Sequence, residues 1–413
     1  MSVGTRGDME PFLAIGEILK SKGHEIICAF PEQFRNLAED GGMEFFSLGK
    51  KFIELLESDD GKAALGGNSS GVRKFMAYIK LTSRQTEINK ELISKQHELV
   101  SKFEPDRIVY NGKAIYAVIV EMYERGKTIL VSPVPYMHYV KDNAHVAFNR
   151  DFGPFLNKLT YSLADFGMVT TVKISARWLK MKEKISRKQI LEVLHSNKVI
   201  YTISPTLFQR PDYWHNNLKI YGYQKYITGK NGPNDRDLEN FINKRRNEKL
   251  LMVTFGSMTN PAPEAKTRVL IDILERNKIP AIINTASGGL AEPEEYDHDL
   301  LYFVSDISYD WLFPKLYAVI HHGGSGTTHL ALKYGCATMI VPHIIDQFVW
   351  NRIIHRLGAG PRGPGINKFT KNNLEPRILE LINNDSYKKK AEQLAKQMAG
   401  EDYTEELYKF IVG

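Results

Sequence analysis

Short apolar runs bounded by polar turns recur along this chain, and between them lie stretches in which apolar residues return every three or four positions. The first pattern predicts buried strands and the second amphipathic helices. In the first half, residues 25–30, 107–110 and 128–131 read as strands. Phe12, Ile15, Gly16 and Leu19 fall at helical spacing, which predicts a helix over about 11–22 that Gly23 stops, and a second helix is predicted over 115–124. A second series of strands begins at 250–255 and runs through 280–284, 301–304, 318–321 and 339–341. Strand alternating with helix predicts an α/β fold of parallel doubly wound sheets, and two series predict two such domains. The predicted division is 1–221 for the first domain, a polar linker at 222–240 containing Gly229, Gly232 and Pro233, 241–385 for the second, and charged helices at 386–413.

Composition narrows the function classes. A chain of 413 residues can bury two cores, and its 43% hydrophobic and 25% charged content is that of an ordinary globular protein. No apolar run approaches the roughly 18 residues of a membrane span and no signal-peptide pattern is visible, so the expectation is a cytoplasmic protein. Cys28 and Cys336, far apart in sequence, are expected as buried thiols, and the glycosylation sequon Asn68-Ser69-Ser70 as a chance match. The net charge of +7 raises nucleic acid as a partner. The basic residues are scattered, however, and no zinc, RRM or helix-turn-helix pattern accompanies them. Residues 155–188 differ, because Phe155, Leu156, Leu159, Leu163 and Phe166 are mixed with Lys173, Arg177, Lys180, Lys182 and Lys184. That mixture predicts an amphipathic helix able to make peripheral contact with an anionic bilayer. The competing reading is a surface helix whose apolar face packs on its own domain.

Candidate chemistry concentrates after the strand at 318–321. His321-His322-Gly323-Gly324-Ser325-Gly326-Thr327-Thr328 reads as strand, glycine turn and helix start. Glycines let the backbone approach an anion, and the free N–H groups and dipole of the helix favour a diphosphate there. His321 and the hydroxyls of Ser325, Thr327 and Thr328 can add donors. One strand later, Asp346 and Gln347 fall where a loop enters the next helix, and a carboxylate beside an amide suits the hydroxyls of a sugar.

These motifs, His-His-Gly-Gly-x-Gly-Thr-Thr and the Pro-x-x-x-Asp-Gln-x-x-Trp from Pro342 to Trp350, resemble the donor-site signature of glycosyltransferase family 1, especially its sterol and glycopeptide-antibiotic branches. Gly4-Thr5-Arg6-Gly7-Asp8-Met9-Glu10-Pro11, Phe255-Gly256-Ser257-Met258 and Asp310-Trp311-Leu312-Phe313-Pro314 extend the resemblance in the same order. It implies the GT-B fold, two Rossmann-like domains facing a cleft, with the acceptor bound by the first domain, the nucleotide sugar by the second, and the last helix crossing back to the first. It also implies Asp8 as the catalytic base, Thr5 and Ser257 near the nucleotide, and the segment from Ile307 to Trp311 at the uracil ring, where Tyr309 replaces the usual histidine.

Asp8 also has a plainer role open to it, since aspartate is a preferred helix cap. Asp297-His298-Asp299 has a metal-like spacing but sits in an acidic stretch that reads as a solvated loop, so no metal is expected. His24 reads as structural. One departure stands out: the resembled proteins begin with a central strand of five or six apolar residues, and here only Met1, Ser2 and Val3 precede Gly4. Either the true start lies upstream or another segment fills the gap. The resulting expectation is an inverting enzyme that moves a hexose, glucose from UDP-glucose as co-substrate without a further cofactor, to a hydroxyl of a hydrophobic small molecule such as a sterol, polyketide or phenolic. A UDP-sugar epimerase of the same fold and a nucleotide-sugar sensor without turnover remain as alternatives.

Overall fold

The computed structural model describes residues 1–58, 71–148, 150–226, 235–260 and 262–413. The sequon at Asn68 and the linker residues Gly229, Gly232 and Pro233 lie outside them. Two compact units are present: among the described residues, 1–58, 75–148, 150–226 and 402–413 belong to the first, and 71–74, 235–260 and 262–401 to the second.

In the first unit, β1 (Ile27–Phe30) pairs in parallel with β2 (Glu44–Ser47). A four-stranded parallel sheet holds β3 (Ile108–Tyr110), β4 (Thr128–Ser132), β5 (Lys198–Tyr201) and β6 (Leu218–Ile220) in sequence order. Met1–Val3 joins the two. Ser2 N–H donates to Ala29 O at 3.0 Å on one side; on the other, Met1 N donates to Val109 O at 2.7 Å and Asn111 N–H to Met1 O at 3.1 Å. All three residues are buried. The expected gap in the sheet is therefore filled by residues 1–3 themselves, too short to form a regular strand yet hydrogen-bonded to both neighbours.

The first helix runs from Arg6 to Ser21, five residues earlier than its apolar spacing predicts, with Pro11 inside it. It buries Met9, Phe12, Leu13 and Ile15 in a core with Cys28, Phe30, Leu407 and Ile411. Leu407 and Ile411 come from the terminal helix Thr404–Val412, which thus packs within the first unit. The strands β2, β5 and β6 carry no clear sequence signal. β2 is half-exposed along its length, and β6 has only three residues.

The second unit is built on β7 (Leu251–Thr254), β8 (Ala281–Asn284), β9 (Leu301–Val304), β10 (Ala318–His321) and β11 (Ala337–Ile340), within a residue or two of the predicted strands. The sheet order is β11-β10-β7-β8-β9, all parallel. Every residue of β7, β8, β10 and β11 is buried. Helices cover both faces of a parallel sheet, which is why these strands are continuous apolar runs with no polar alternation. The chain leaves β7 for β8 on one side and later returns to place β10 on the other. The carboxyl ends of β7 and β10 therefore form a topological switch point, where open α/β sheets bind ligands.

Both cysteines are free and buried, and burial raises the thiol of Cys28 to about 11 and that of Cys336 to about 12. No helix among the described residues is long and apolar enough to cross a membrane.

Candidate functional site

The glycine turn sits at the switch point of the second unit. Thr254 at the end of β7 is in register with His321 at the end of β10. After His321 the chain turns through His322 and Gly323, and Gly324 caps the helix Ser325–Lys333. Gly323 has φ +97°, and a Cβ there would lie 2.6 Å from Ile340 and 3.2 Å from the Cβ of Gln347. Only glycine fits, and its bareness lets the two sequence motifs touch.

His321 is fully buried, and its Nδ1 accepts from Gly323 N–H at 3.0 Å. The proton of a neutral ring must then reside on Nε2, which is buried and has no partner among the described residues. Burial lowers the imidazole to about 3, so the ring is neutral and offers a hydrogen bond, not a charge. Burial also lowers His329 and His343 to about 4, and His322 well below the usual histidine range. A buried N–H without an acceptor is costly unless a ligand completes it.

The hydroxyls of the turn divide into two kinds. Thr328 is buried and donates to Gly324 O at 2.8 Å, so its hydroxyl is spent on the helix start and is not the ligand donor the sequence suggests. Ser325, Gly326 and Thr327 are half-buried, and their backbone N–H groups precede the first intrahelical bond, Thr328 N–H to Gly324 O at 3.0 Å. These N–H groups, with the dipole of the helix, form an anion-binding end.

Asp346 and Gln347 lie in the first turn of the helix Ile345–Leu357. Gln347 is buried, and its Oε1 accepts from His343 N–H at 2.7 Å and Ile344 N–H at 3.1 Å. Its carbonyl is therefore occupied as the helix cap, and Nε2, 3.5 Å from the sulfur of Met258, is what remains for a ligand. Asp346 is half-buried. Trp350, the last residue of that motif, is fully buried and packs edge-on against His329, so it serves the core.

Ser257 follows β7 in an exposed turn. Ile307 is buried after β9. Tyr309, in the place of the expected histidine, hydrogen-bonds through its hydroxyl to Thr254 Oγ1 at 2.9 Å and stacks on Phe313. That contact ties the loop after β9 to the carboxyl end of β7, a role that sequence reading missed. Asp299, from the metal-like triplet, pairs instead with Lys244 at 2.9 Å. Among the described residues no group of three or more His, Cys, Asp or Glu is arranged to hold a metal ion.

In the first unit, Asp8 lies at the third position of the helix Arg6–Ser21, and Thr5 is the cap. Asp8 Oδ2 accepts from Thr5 N–H at 2.8 Å and from Thr5 Oγ1 at 3.3 Å. This is the returning half of a capping box, a signal present in the spacing Thr-x-x-Asp. The carboxylate folds over Gly4, where a Cβ would come within 2.1 Å of Oδ2. Oδ1 accepts a hydrogen bond from Lys113 Nζ at 3.4 Å in an ion pair, with 29% of the Asp8 side chain exposed. Asn111, just past β3, donates from Nδ2 to Ser2 Oγ at 2.9 Å and Val3 O at 2.8 Å, and Ser2 Oγ donates to Asp8 O at 2.8 Å. Asp8 thus has Oδ2 fixed by Thr5 and Oδ1 held only by the exposed Lys113 ammonium, on a turn clamped by Asn111.

The chain is similar to known proteins over most of its length. The glycosyltransferase family 28 N-terminal domain matches residues 1–131, and the erythromycin biosynthesis protein CIII-like C-terminal domain matches residues 301–412. A sterol 3-beta-glucosyltransferase of Arabidopsis thaliana is 28% identical over 97% of this chain and 62% of its own length. One from Yarrowia lipolytica is 25% identical over 97% of this chain and 28% of its own. The chain therefore spans less than two thirds of the length of these relatives. Among solved structures, the glycotransferase of kitacinnamycin covers 100% of the chain with 97% of its own, at a TM-score of 0.68 and 15% identity. The glycosyltransferase VinC in complex with dTDP does so with 98% of its own chain, at 0.63 and 14%. The chain thus has the GT-B fold of its solved neighbours, matches a glycosyltransferase domain model at its amino end and an antibiotic-biosynthesis domain model at its carboxyl end, and is similar in sequence to sterol 3-beta-glucosyltransferases.

Proposed function

We propose that this protein is an inverting glycosyltransferase that moves glucose from UDP-glucose to the hydroxyl of a hydrophobic small molecule, with a sterol as the favoured acceptor. The observation that carries the reading is the buried, unpartnered Nε2–H of His321 beside a glycine turn and an open helix N-terminus. A diphosphate supplies the acceptors those donors lack. In the proposed reaction Asp8 Oδ1 takes the proton of the acceptor hydroxyl, and the oxygen attacks the anomeric carbon from the face opposite the diphosphate. The bond from that carbon to the diphosphate breaks, and UDP leaves with the electron pair. Donors fixed at the diphosphate stabilise the charge that develops on it. Asp346 and the amide of Gln347 are assigned to the sugar hydroxyls, and the protein's own groups suffice without a metal. The sterol assignment draws on the sequence relatives named sterol 3-beta-glucosyltransferase.

Product analysis after incubation with UDP-glucose and a panel of sterols and other lipophilic alcohols tests the reading. A glycoside is expected. An isomerised donor would identify an epimerase, and an unchanged donor bound with measurable affinity a sensor; either contradicts the transferase reading.

A further inference from the structure

We infer that the helix Pro154–Trp178 and the basic segment after it dock this protein on the surface of an anionic lipid bilayer. Phe155, Leu159, Leu163 and Phe166 are spaced i, i+4, i+8 and i+11, and with Leu156 they occupy roughly 100° of the helix circumference. They are exposed: Phe155 by 84% and Phe166 by 60%. Phe152, just before the helix, is exposed as well. The face that packs on the protein is a different one, formed by Asn157, Thr160, Val169, Val172, Ser175 and Ala176. The competing reading, in which the Phe and Leu stripe packs on its own domain, does not hold: these large side chains face outward, and the two valines with small and polar residues face inward.

The helix ends at Trp178, earlier than the basic run that follows it in sequence. Arg177, Lys180, Lys182, Lys184, Arg187 and Lys188 are all exposed, and among the described residues none is ion-paired. Glu183 is the single acid within that run. Soluble proteins rarely display a contiguous apolar patch of this kind. A stripe of Phe and Leu continuing into a cluster of unpaired cations matches a bilayer with anionic headgroups, apolar side chains entering the acyl boundary and cations staying among the phosphates. The charge excludes a purely apolar occupant, and the helix is too polar to cross the membrane.

Co-sedimentation of the full chain with phosphatidylcholine vesicles, with and without phosphatidylserine, tests this without any assay of activity. The parent is expected to bind the mixed vesicles, and to lose about tenfold in affinity on neutral vesicles or in high salt. Phe155→Ser with Leu159→Ser and Phe166→Ser, and separately Lys182→Glu with Lys184→Glu, should each lower binding by about tenfold or more. These residues are exposed, so the thermal midpoint should be unchanged. A parent that ignores anionic vesicles, or variants that bind like the parent, overturns the inference. So does sedimentation velocity in which the parent is a dimer and the serine variant a monomer, since that assigns the stripe to a second copy of the chain.

Discussion

Removing the His321 ring tests the donor site through two measurable effects that separate cleanly. In the free protein the Nε2–H is buried without an acceptor among the described residues, which costs about 1–3 kcal/mol. The Gly323 N–H bond to Nδ1 at 3.0 Å returns about 0.5–1.5 kcal/mol. These nearly offset, so His321→Ala loses stability chiefly through the space the ring vacates, on the order of 3 kcal/mol for a fully buried side chain. Thermal unfolding reads that loss. With UDP bound, the same N–H donates to a charged oxygen, an interaction of about 1.5–3 kcal/mol, which corresponds to roughly ten- to hundredfold in affinity. Relief of the unpaired donor on binding adds to the same side, so the upper part of that range is expected. Calorimetric titration with UDP below the variant's unfolding temperature is the assay. A folded His321→Ala protein with unchanged UDP affinity refutes the assignment.

Asp346→Ala is expected to weaken UDP-glucose or its turnover while UDP alone binds almost as before, because its carboxylate is assigned to hexose hydroxyls; equal losses for the two ligands in titrations contradict that. Asp8→Asn keeps an oxygen for the Thr5 N–H and so preserves the helix start, yet cannot take up the acceptor proton. Donor binding should be normal and turnover about 10²- to 10⁴-fold slower, and a variant as active as the parent removes Asp8 as the base. Burial lowers His138, His145, His329 and His343 to about 4, against about 6.5 in an unfolded chain. Between those values the unfolded state binds more protons, so stability falls as the pH is lowered from about 6.5 to about 4, by up to about 1.4 kcal/mol per pH unit for each ring. Urea midpoints that do not change between pH 7.5 and 5 contradict this burial.

The second unit was legible in the sequence because β7, β8, β10 and β11 are buried on both faces and read as apolar runs, with glycines soon after β7 and β10 and Pro342 soon after β11. The first unit was less so. β2 is half-exposed, and residues 1–3 act as a strand through hydrogen bonds to segments 27 and more than 100 residues away, which no local pattern reveals. The apolar spacing placed the first helix from Pro11, whereas the Thr5–Asp8 cap starts it at Arg6, five residues earlier. At the site, the glycine turn and His321 were apparent from residue type alone. That Thr328 and the carbonyl of Gln347 are consumed by their own helices was not, because the same polar groups suit either a ligand or a helix end, and only their burial and partners decide. Tyr309 replaces an expected histidine, and its use, a hydroxyl bond to Thr254, depends on strand order.

The central claim is transfer with inversion, and the configuration of the product tests it most directly. The protein is mixed with UDP-glucose carrying ¹³C at the anomeric carbon and a sterol, and the products are followed by NMR. The account predicts a sterol glucoside whose anomeric configuration is opposite to that of the donor, formed in step with free UDP. A glucoside that retains the donor's configuration, or UDP released with free glucose only, contradicts it.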